Sequence, residues 1–164
     1  PMTLAIRPGV PADAAGMAAV LAPIVAAGGL TAMQSPVTPE SFAPVFDAPD
    51  PRRVLTVAEA DGALIGFQWA EPHPLLPPDI GDVATFVALE AARRGIGRAL
   101  FSATLPEARA AGWRRLNAVV RNGNPRALAF YRAMGFCVMR REAERTTLRR
   151  GLQQLAARPR TGNR

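Results

Sequence analysis

Hydrophobic and polar residues alternate along the chain with two different periods. A period of two residues, which indicates a strand with one buried face, occurs in seven short runs, and a helical period occurs in the longer stretches between them. In order, the pattern predicts a strand, a helix, a hairpin of two strands, a strand, a helix, a strand, a helix and two closing strands, with a short helix before the hairpin. This order predicts a mixed α/β domain rather than an all-parallel one.

Residues that favour turns and helix ends set the boundaries of these elements. Asp61-Gly62 gives the strongest hairpin signal in the chain. Asp13 is expected to cap the first helix, and Pro23 is expected to end or kink it. The predicted strands cover residues 4–7, 54–60, 64–69, 83–89, 115–121, 136–139 and 146–152. The first predicted helix begins after residue 13, and the other three cover residues 39–46, 96–111 and 126–134.

The stretch EAARRGIGRAL, residues 90–100, follows a predicted strand and leads into a predicted helix. Gly95 and Gly97 permit backbone angles that direct successive N–H groups at one anion, and the positive end of the helix adds to this attraction. A dinucleotide fingerprint is excluded because Leu100 stands where a third small residue is needed, and a P-loop is excluded because the chain contains no lysine. With three arginines alongside, the stretch predicts a site for a phosphate-bearing cofactor (Arg93, Arg94, Arg98).

The composition fits one globular domain, since 49% of the 164 residues are hydrophobic. No apolar run approaches the length of a membrane span, so we expect a soluble, cytoplasmic protein. Cys137 is the only cysteine, which suits a reducing compartment, and its neighbours Phe136 and Val138 predict that it is buried. His73 is the only histidine, so a metal site is not expected.

The net charge of +7 divides unevenly along the chain. Residues 1–92 contain three arginines and ten acidic residues, whereas residues 93–164 contain seventeen arginines and three acidic residues. The basic half begins at the glycine turn, and its charge favours a polyanionic partner, either a nucleic acid or a phosphorylated cofactor. The arginines from residue 158 onward predict a flexible basic tail.

Three blocks of the chain, in this order and at this separation, resemble the acetyl-CoA-binding core of the GNAT superfamily of N-acetyltransferases. They are the strand at 83–89, ARRGIGRAL, and NGNPRALAFYRAMGF. The resemblance covers residues 54–140 most firmly, and the N-terminal IRPGVPADAAGMAAVLAPIV is similar to phosphinothricin-type and amino-acid N-acetyltransferases. It implies one domain over residues 1–152, with a twisted, mixed, mostly antiparallel sheet of about six or seven strands and about four helices, followed by a tail at 153–164.

The resemblance also implies acetyl-CoA as co-substrate. Backbone groups of Thr85, Phe86 and Val87 would pair with the pantetheine arm as though it were an added strand, and Asn124 would contact the same arm. The pyrophosphate would be held by the amides of the glycine turn (Arg93, Arg94, Gly95, Ile96, Gly97, Arg98). Ala92 departs from the glutamine or arginine usual in the family, and Arg93 and Arg94 are expected to supply the charge instead.

The same resemblance implies direct attack of an amine on the acetyl thioester, without a covalent enzyme intermediate. A carboxylate must take the proton of the amine, and Asp82 is the first candidate for this base, with Glu71 the second. Asp82 stands where the amino-acid acetyltransferases have a glutamate on the central strand. Tyr131 would protonate the thiolate that leaves.

The acceptor is expected to be a primary amine of a small molecule or amino acid, ahead of a protein N-terminus or lysine. Its pocket is expected between residues 28–51 and 71–81, where Arg52 and Arg53 are candidates to bind a carboxylate. Neither a nucleic acid nor a membrane is expected as partner, and a homodimer is compatible with the resemblance. Two alternatives stay open: a nucleic-acid-binding protein that uses the basic half, and a GNAT-like domain that binds acyl-CoA without catalysis.

Overall fold

A seven-stranded sheet lies at the centre of the fold, with strand order β1-β2-β3-β4-β5-β7-β6. The structure, a computed structural model, describes residues 3–153. All neighbouring strands are antiparallel except β4 and β5, which are parallel, so the predicted mixed and mostly antiparallel sheet is confirmed. The strands are β1 (Leu4–Pro8), β2 (Val54–Ala60), β3 (Ala63–Glu71), β4 (Ile80–Val87), β5 (Arg115–Arg121), β6 (Cys137–Arg141) and β7 (Arg145–Gly151).

The helices of the described chain cover both faces of the sheet. Phe42 packs edge-on against Phe67 of β3, with ring centroids 5.7 Å apart, and α1 packs beside it. On the opposite face, Thr104 of α3 donates a hydrogen bond of 3.0 Å to Thr56 of β2. We call these the α1 face and the α3 face. The α-helices are α1 (Ala14–Ala27), α2 (Ala43–Asp47), α3 (Ile96–Ala110) and α4 (Pro125–Ala133), with 3₁₀ turns at Pro11–Asp13, Pro39–Phe42 and Leu89–Ala91.

The predicted hairpin is present between β2 and β3. Asp61 and Gly62 both have positive φ, 50° and 81°, as a turn of type I′ requires. Its strands pair from Val54–Ala70 to Ala60–Ala63, with a bulge after Ala58 that places eight residues of β3 opposite the seven of β2. The turn therefore fixes which side chains of β3 point to each face.

One prediction about the first helix is wrong, and of the two outcomes predicted at Pro23, an end or a kink, the end is excluded. Asp13 does not cap it, because the helical run already begins at Pro11 and the Asp13 carboxylate instead binds Arg7, at 2.8 Å, and the Val10 amide. Pro23 does not end it, because the helix continues to Ala27.

The prediction that Cys137 is buried is also wrong. Successive residues of a strand point to opposite faces, so the burial of Phe136, which is 3% exposed, does not extend to its neighbour. Cys137 lies on the α1 face of β6 and is exposed.

Of the predicted basic tail at 153–164, only Gln153 lies within the described residues. Among the helices between residues 3 and 153, none combines the length and the apolarity that crossing a bilayer requires.

Candidate active site

The parallel strands β4 and β5 pair only at their beginnings. Their register covers Ile80–Arg115, Gly81–Leu116 and Asp82–Asn117, and then the strands separate. Beyond this point β4 continues to pair with β3, and β5 continues to pair with β7. Amide and carbonyl groups of successive strand residues point to opposite neighbours, and the Ala88 amide donates to the Ile65 carbonyl of β3, so the groups of Phe86 also face β3. The backbone groups of Thr85 and Val87 face the gap, have no strand partner there and are available to an extended ligand.

The central residue of this segment, Phe86, turns both its side chain and its backbone groups away from the gap. The Phe86 side chain is 9% exposed and packs on the α1 face against Phe67 and Trp69, at centroid distances of 5.2 and 5.7 Å. Phe86 thus presents no hydrogen-bonding group to the gap, whereas Thr85 and Val87 each offer an amide and a carbonyl.

The glycine turn ends at the N-terminus of α3 and forms a concave set of amides. Arg93 and Gly95 both have left-handed backbone angles, with φ of 66° and 76°, a geometry that turns successive N–H groups toward one point. The first intrahelical bond in this turn is donated by Ala99 to Gly95, so the amides of the first helical turn stay free for an anion. Ile96 is 1% exposed and can offer only its amide.

The charge around these amides is not neutralised within the described chain. Arg93, Arg94 and Arg98 are exposed, and none of them forms an ion pair with a carboxylate of residues 3–153. Together with the free amides and the helix dipole, they make this end of the sheet suited to a phosphate or pyrophosphate. Nothing in this geometry requires a side chain at Ala92.

The sequence interpretation of Gly97 needs correction. Gly97 is the second residue of α3 and has no positive φ, so its backbone does not need the freedom of glycine. A Cβ there would lie 2.9 Å from Cε2 of Phe130, so glycine allows α4 to pack closely against α3. Substitution would disturb this packing before it reached the amides of the turn.

Tyr131 reaches from α4 to the part of β4 that has left β5. Its side chain is 5% exposed, and its hydroxyl donates a hydrogen bond of 3.0 Å to Oγ1 of Thr85. The same oxygen accepts a bond of 2.7 Å from Nε2 of Gln68, a fully buried residue whose Oε1 has no partner in the described chain. Thr85 thus accepts twice, and its own hydroxyl proton is free to turn toward Tyr131 when that residue loses a proton.

The surroundings of Tyr131 keep it protonated. Burial raises the pKa of its phenol to about 12, its hydrogen bonding with Thr85 opposes this shift, and the negative charge of Asp82 adds to it. The group is therefore a proton donor throughout the neutral range.

On the α1 face, four polar side chains form one row across neighbouring strands. Glu71 is opposite Asp82, Asp82 is opposite Asn117, and Asn117 is opposite Arg149. Asn117 is 3% exposed and joins its neighbours, because its Nδ2 donates to Asp82 at 3.1 Å and its Oδ1 accepts from Arg149 Nε at 3.2 Å. We call these four residues the polar row. The sheet thereby brings both predicted bases, Asp82 and Glu71, to the point where β4 and β5 separate.

The two acids of the row differ in their partners. Glu71 forms an ion pair of 2.9 Å with Arg53. Asp82 has no ion pair within the described residues. Burial raises the pKa of its carboxyl, and the charge of Glu71 raises it further, whereas the hydrogen bond from Asn117 and the charge of His73 lower it. A half-buried carboxylate with a raised pKa is the better proton acceptor of the two.

Asn124 caps α4 as predicted, since its Oδ1 accepts a hydrogen bond of 3.1 Å from the Ala127 amide. Its Nδ2 donates to the Leu30 carbonyl at 3.2 Å, which ties the segment after α1 to the start of α4. Both ends of the side chain are thus already bonded, and its contact with a pantetheine arm stays a prediction.

The predicted carboxylate-binding arginines are engaged in the fold. Arg53 binds Glu71 and the carbonyls of Val45 and Ala48. Arg52 lies over the ring of Trp113, 5.2 Å from its centroid. The first is therefore not free for a substrate, and the second is held by an aromatic contact.

Comparisons with known proteins agree with this geometry. The model of the acetyltransferase (GNAT) family matches residues 30–136, well over half of the chain. The chain belongs to the GNAT family. Its resemblance to that family, predicted from the three sequence blocks, is confirmed.

The individual GNAT proteins to which the chain is similar share only a minority of its residues. The chain is 34% identical over 90 residues to the mycothiol acetyltransferase of Paenarthrobacter aurescens, and the match spans 53% of the chain but only 28% of that relative. A GCN5-related N-acetyltransferase from Kribbella flavida is 26% identical with a TM-score of 0.78, covering 90% of the chain and 97% of that structure. A phosphinothricin acetyltransferase from Sinorhizobium meliloti in complex with AcCoA is 24% identical with a TM-score of 0.82, covering 98% and 95%, and this likeness concerns the fold alone.

Sequence reasoning did not identify Gln68, Asn117 or Arg149 as part of this GNAT site. A signal was present for the first two, since each is a polar residue inside an apolar strand, in FQWA and RLNAVV. A buried polar residue in such a run needs a partner. The partners lie on other strands, and the sequence does not name them.

Proposed function

We propose that the chain is an acetyl-CoA-dependent N-acetyltransferase that moves an acetyl group to the primary amine of a small molecule or amino acid by direct attack. The observation that carries the proposal is the separation of β4 from β5 immediately after Asp82 and Asn117. A carboxylate reaches this gap from the α1 face and a tyrosine reaches it from the α3 face. A proton acceptor and a proton donor thus lie on opposite sides of one opening.

The described residues fit acetyl-CoA as co-substrate. When bound, it supplies an activated acetyl thioester. The unpaired backbone groups of Thr85 and Val87 would hold the pantetheine arm, and the amides of the turn up to Arg98 would hold the pyrophosphate. The exposed arginines beside the turn would balance the phosphate charge.

Asp82 acts as the general base in this proposal. An ammonium group cannot attack a carbonyl, so one of the Asp82 carboxylate oxygens takes a proton from the amine, directly or through water. Its raised pKa improves its match to this task. Asn117 holds one of the two oxygens at 3.1 Å and leaves the other for the acceptor. Glu71 balances Arg53, and its charge adds to the rise in the Asp82 pKa that burial chiefly causes.

Tyr131 acts as the general acid. Its hydroxyl gives a proton to the departing sulfur, and the Thr85 hydroxyl then turns to donate a hydrogen bond to the phenolate oxygen. Gln68 holds Thr85 in place from the core. After transfer Asp82 therefore carries an extra proton and Tyr131 lacks one, and exchange with solvent restores both residues.

The names of the relatives support a small acceptor. One curated relative is a mycothiol acetyltransferase, and a structure of the same fold is a phosphinothricin acetyltransferase in complex with AcCoA. The cytoplasmic location stays a prediction from the sequence.

An amine panel with the purified protein and acetyl-CoA tests the proposal. The panel contains amino acids, simple primary amines and short peptides, and the readouts are free CoA thiol and the mass of the acetylated product. We expect thiol release that depends on one class of small amine. Tight acetyl-CoA binding without thiol release for any amine would instead favour the acyl-CoA-binding alternative, and release with peptides alone would favour protein N-acetylation.

A further inference from the structure

Arg149 occupies one end of the polar row without a matching negative charge. Its Nε donates to Asn117, and within residues 3–153 no carboxylate lies at ion-pair distance from its guanidinium. A guanidinium presents five N–H donors, so four of them are left for other partners. The side chain is half-buried, which makes an unmatched charge more costly than on an open surface.

Neighbouring arginines on the same face of β5 and β7 show the contrast. Each of them forms an ion pair with an acidic residue, and Glu142 pairs with Arg140 as well as with Arg145. The pairs are Arg115 with Asp79 at 3.1 Å, Arg121 with Glu144 at 3.4 Å and Arg145 with Glu142 at 3.0 Å. Arg149 differs from all three in that its nearest polar contact is the neutral amide that also holds the proposed base.

We infer that Arg149 binds the carboxylate of the acetyl acceptor and thereby selects 2-amino carboxylic acids. This inference rests on the proposed function and names the acceptor class and the residue that chooses it. The acceptor amine would lie at Asp82 and its carboxylate at the free N–H groups of Arg149. A planar guanidinium is the side chain best matched to a carboxylate, because it offers two parallel hydrogen bonds.

The length of the row fits an amine and a carboxylate that are attached to one carbon. The two bonds of Asn117 are 3.1 and 3.2 Å long, and an amide separates its oxygen and nitrogen by about 2.3 Å, so the two atoms that Asn117 joins, Asp82 Oδ1 and Arg149 Nε, are at most about 8.6 Å apart. The second Asp82 oxygen and the free N–H groups of Arg149 belong to the same two side chains. Two charge-assisted hydrogen bonds of about 2.8 Å and an amine-to-carboxylate distance of about 3 Å reach up to about 8.6 Å, so an α-amino acid can bridge side chains that lie within this limit. A diamine would bring a second positive charge toward Arg149 and would be disfavoured.

The test compares α-amino acids with their primary amides, which keep the amine and lose the negative charge. The wild-type protein should show a kcat/KM for the preferred amino acid roughly 10- to 100-fold above that for its amide. In Arg149→Gln this preference should disappear, mainly through a higher KM for the amino acid, while the amide keeps its rate. Because both acceptors need the same base, a displaced Asp82 would slow them equally and would not change their ratio.

Arg115→Gln is the matched control, since it removes an arginine from the same face of the sheet whose charge is balanced by Asp79. It should leave the preference unchanged. The inference is overturned if Arg149→Gln lowers kcat/KM equally for the amino acid and its amide, or if the wild type acetylates amines without preferring those that carry a carboxylate. Either result leaves the proposed function standing. No thiol release with any amine would overturn both.

Discussion

Replacing Asp82 with asparagine separates the chemistry of this residue from its structural role. The change preserves shape, and the new side chain keeps an oxygen that can accept the 3.1 Å hydrogen bond from Asn117. It removes only the ability to take a proton. We expect kcat to fall by about 10²–10⁴-fold, the usual contribution of a general base, with the affinity for acetyl-CoA unchanged.

The same variant should gain stability at neutral pH. Burial raises the pKa of Asp82 above its ordinary value of 3.8, so the folded state holds the proton more tightly than the unfolded chain. Ionisation of Asp82 therefore lowers the stability of the wild type as the pH rises above 3.8, and the full loss is present once the pH exceeds the pKa of Asp82 in the folded state. Asparagine does not ionise, so the stability advantage of Asp82→Asn should be absent in acid and grow toward neutrality.

Glu71→Gln is the matched comparison and should behave in the opposite way. The Glu71–Arg53 pair is partly exposed, with 29% and 17% of the two side chains accessible. Its loss should cost about 1–2 kcal/mol, between the values for exposed and buried pairs, or about 2–8 °C in Tm. The rate should change far less than in Asp82→Asn.

Thermal unfolding from pH 4 to pH 8 and thiol release at saturating acetyl-CoA measure the two effects. We expect Asp82→Asn to turn over slowly and to be at least as stable as the wild type, and we expect Glu71→Gln to stay active and to be less stable. If Glu71→Gln loses the rate and Asp82→Asn keeps it, the base has been assigned to the wrong member of the polar row.

Three further variants test other parts of the site. Tyr131→Phe should lower kcat by about 10²–10⁴-fold with little change in acetyl-CoA affinity by calorimetry, and an unchanged kcat would contradict the acid role. Thr85→Val should lower kcat, because the Tyr131 hydroxyl loses its hydrogen-bond partner. The control Thr56→Val removes a comparable buried hydrogen bond and should lower only the free energy of unfolding, by about 1–3 kcal/mol. Equal rates for the two variants would count against Thr85 as a positioning residue. Gly97→Ala places a methyl group against Phe130 and should reduce the free energy of unfolding by about 1–3 kcal/mol in urea titration, and lost cofactor affinity at unchanged stability would contradict this packing role.

Much of the fold could be predicted because its signals are local. The Asp61-Gly62 turn requires positive φ at both residues, and the structure has it. The strand at Arg115–Arg121 and the cap of α4 by Asn124 also follow from nearby residues. The glycine turn was interpreted correctly for Gly95 but not for Gly97, whose neighbour Phe130 lies on another helix.

The remainder of the site depends on pairing between distant strands. Glu71, Asp82, Asn117 and Arg149 become neighbours only through the registers of β3, β4, β5 and β7, which span almost eighty residues of sequence. A shift by one residue in any of these strands would turn a member of the row to the α3 face. Sequence patterns set the period of a strand but not its register, so the row and the free charge of Arg149 emerge only from the assembled sheet.

The central claim is that acetyl passes directly from acetyl-CoA to an amine in the gap between β4 and β5. The most direct measurement follows free thiol, acetylated acceptor and the intact mass of the protein in one reaction, with the wild type and with Tyr131→Phe. We expect one acetylated acceptor for each thiol released, no acetylated protein, and both products slowed together in the variant. Thiol release without an acetylated acceptor, or acetyl groups that accumulate on the protein, would contradict direct transfer at this site.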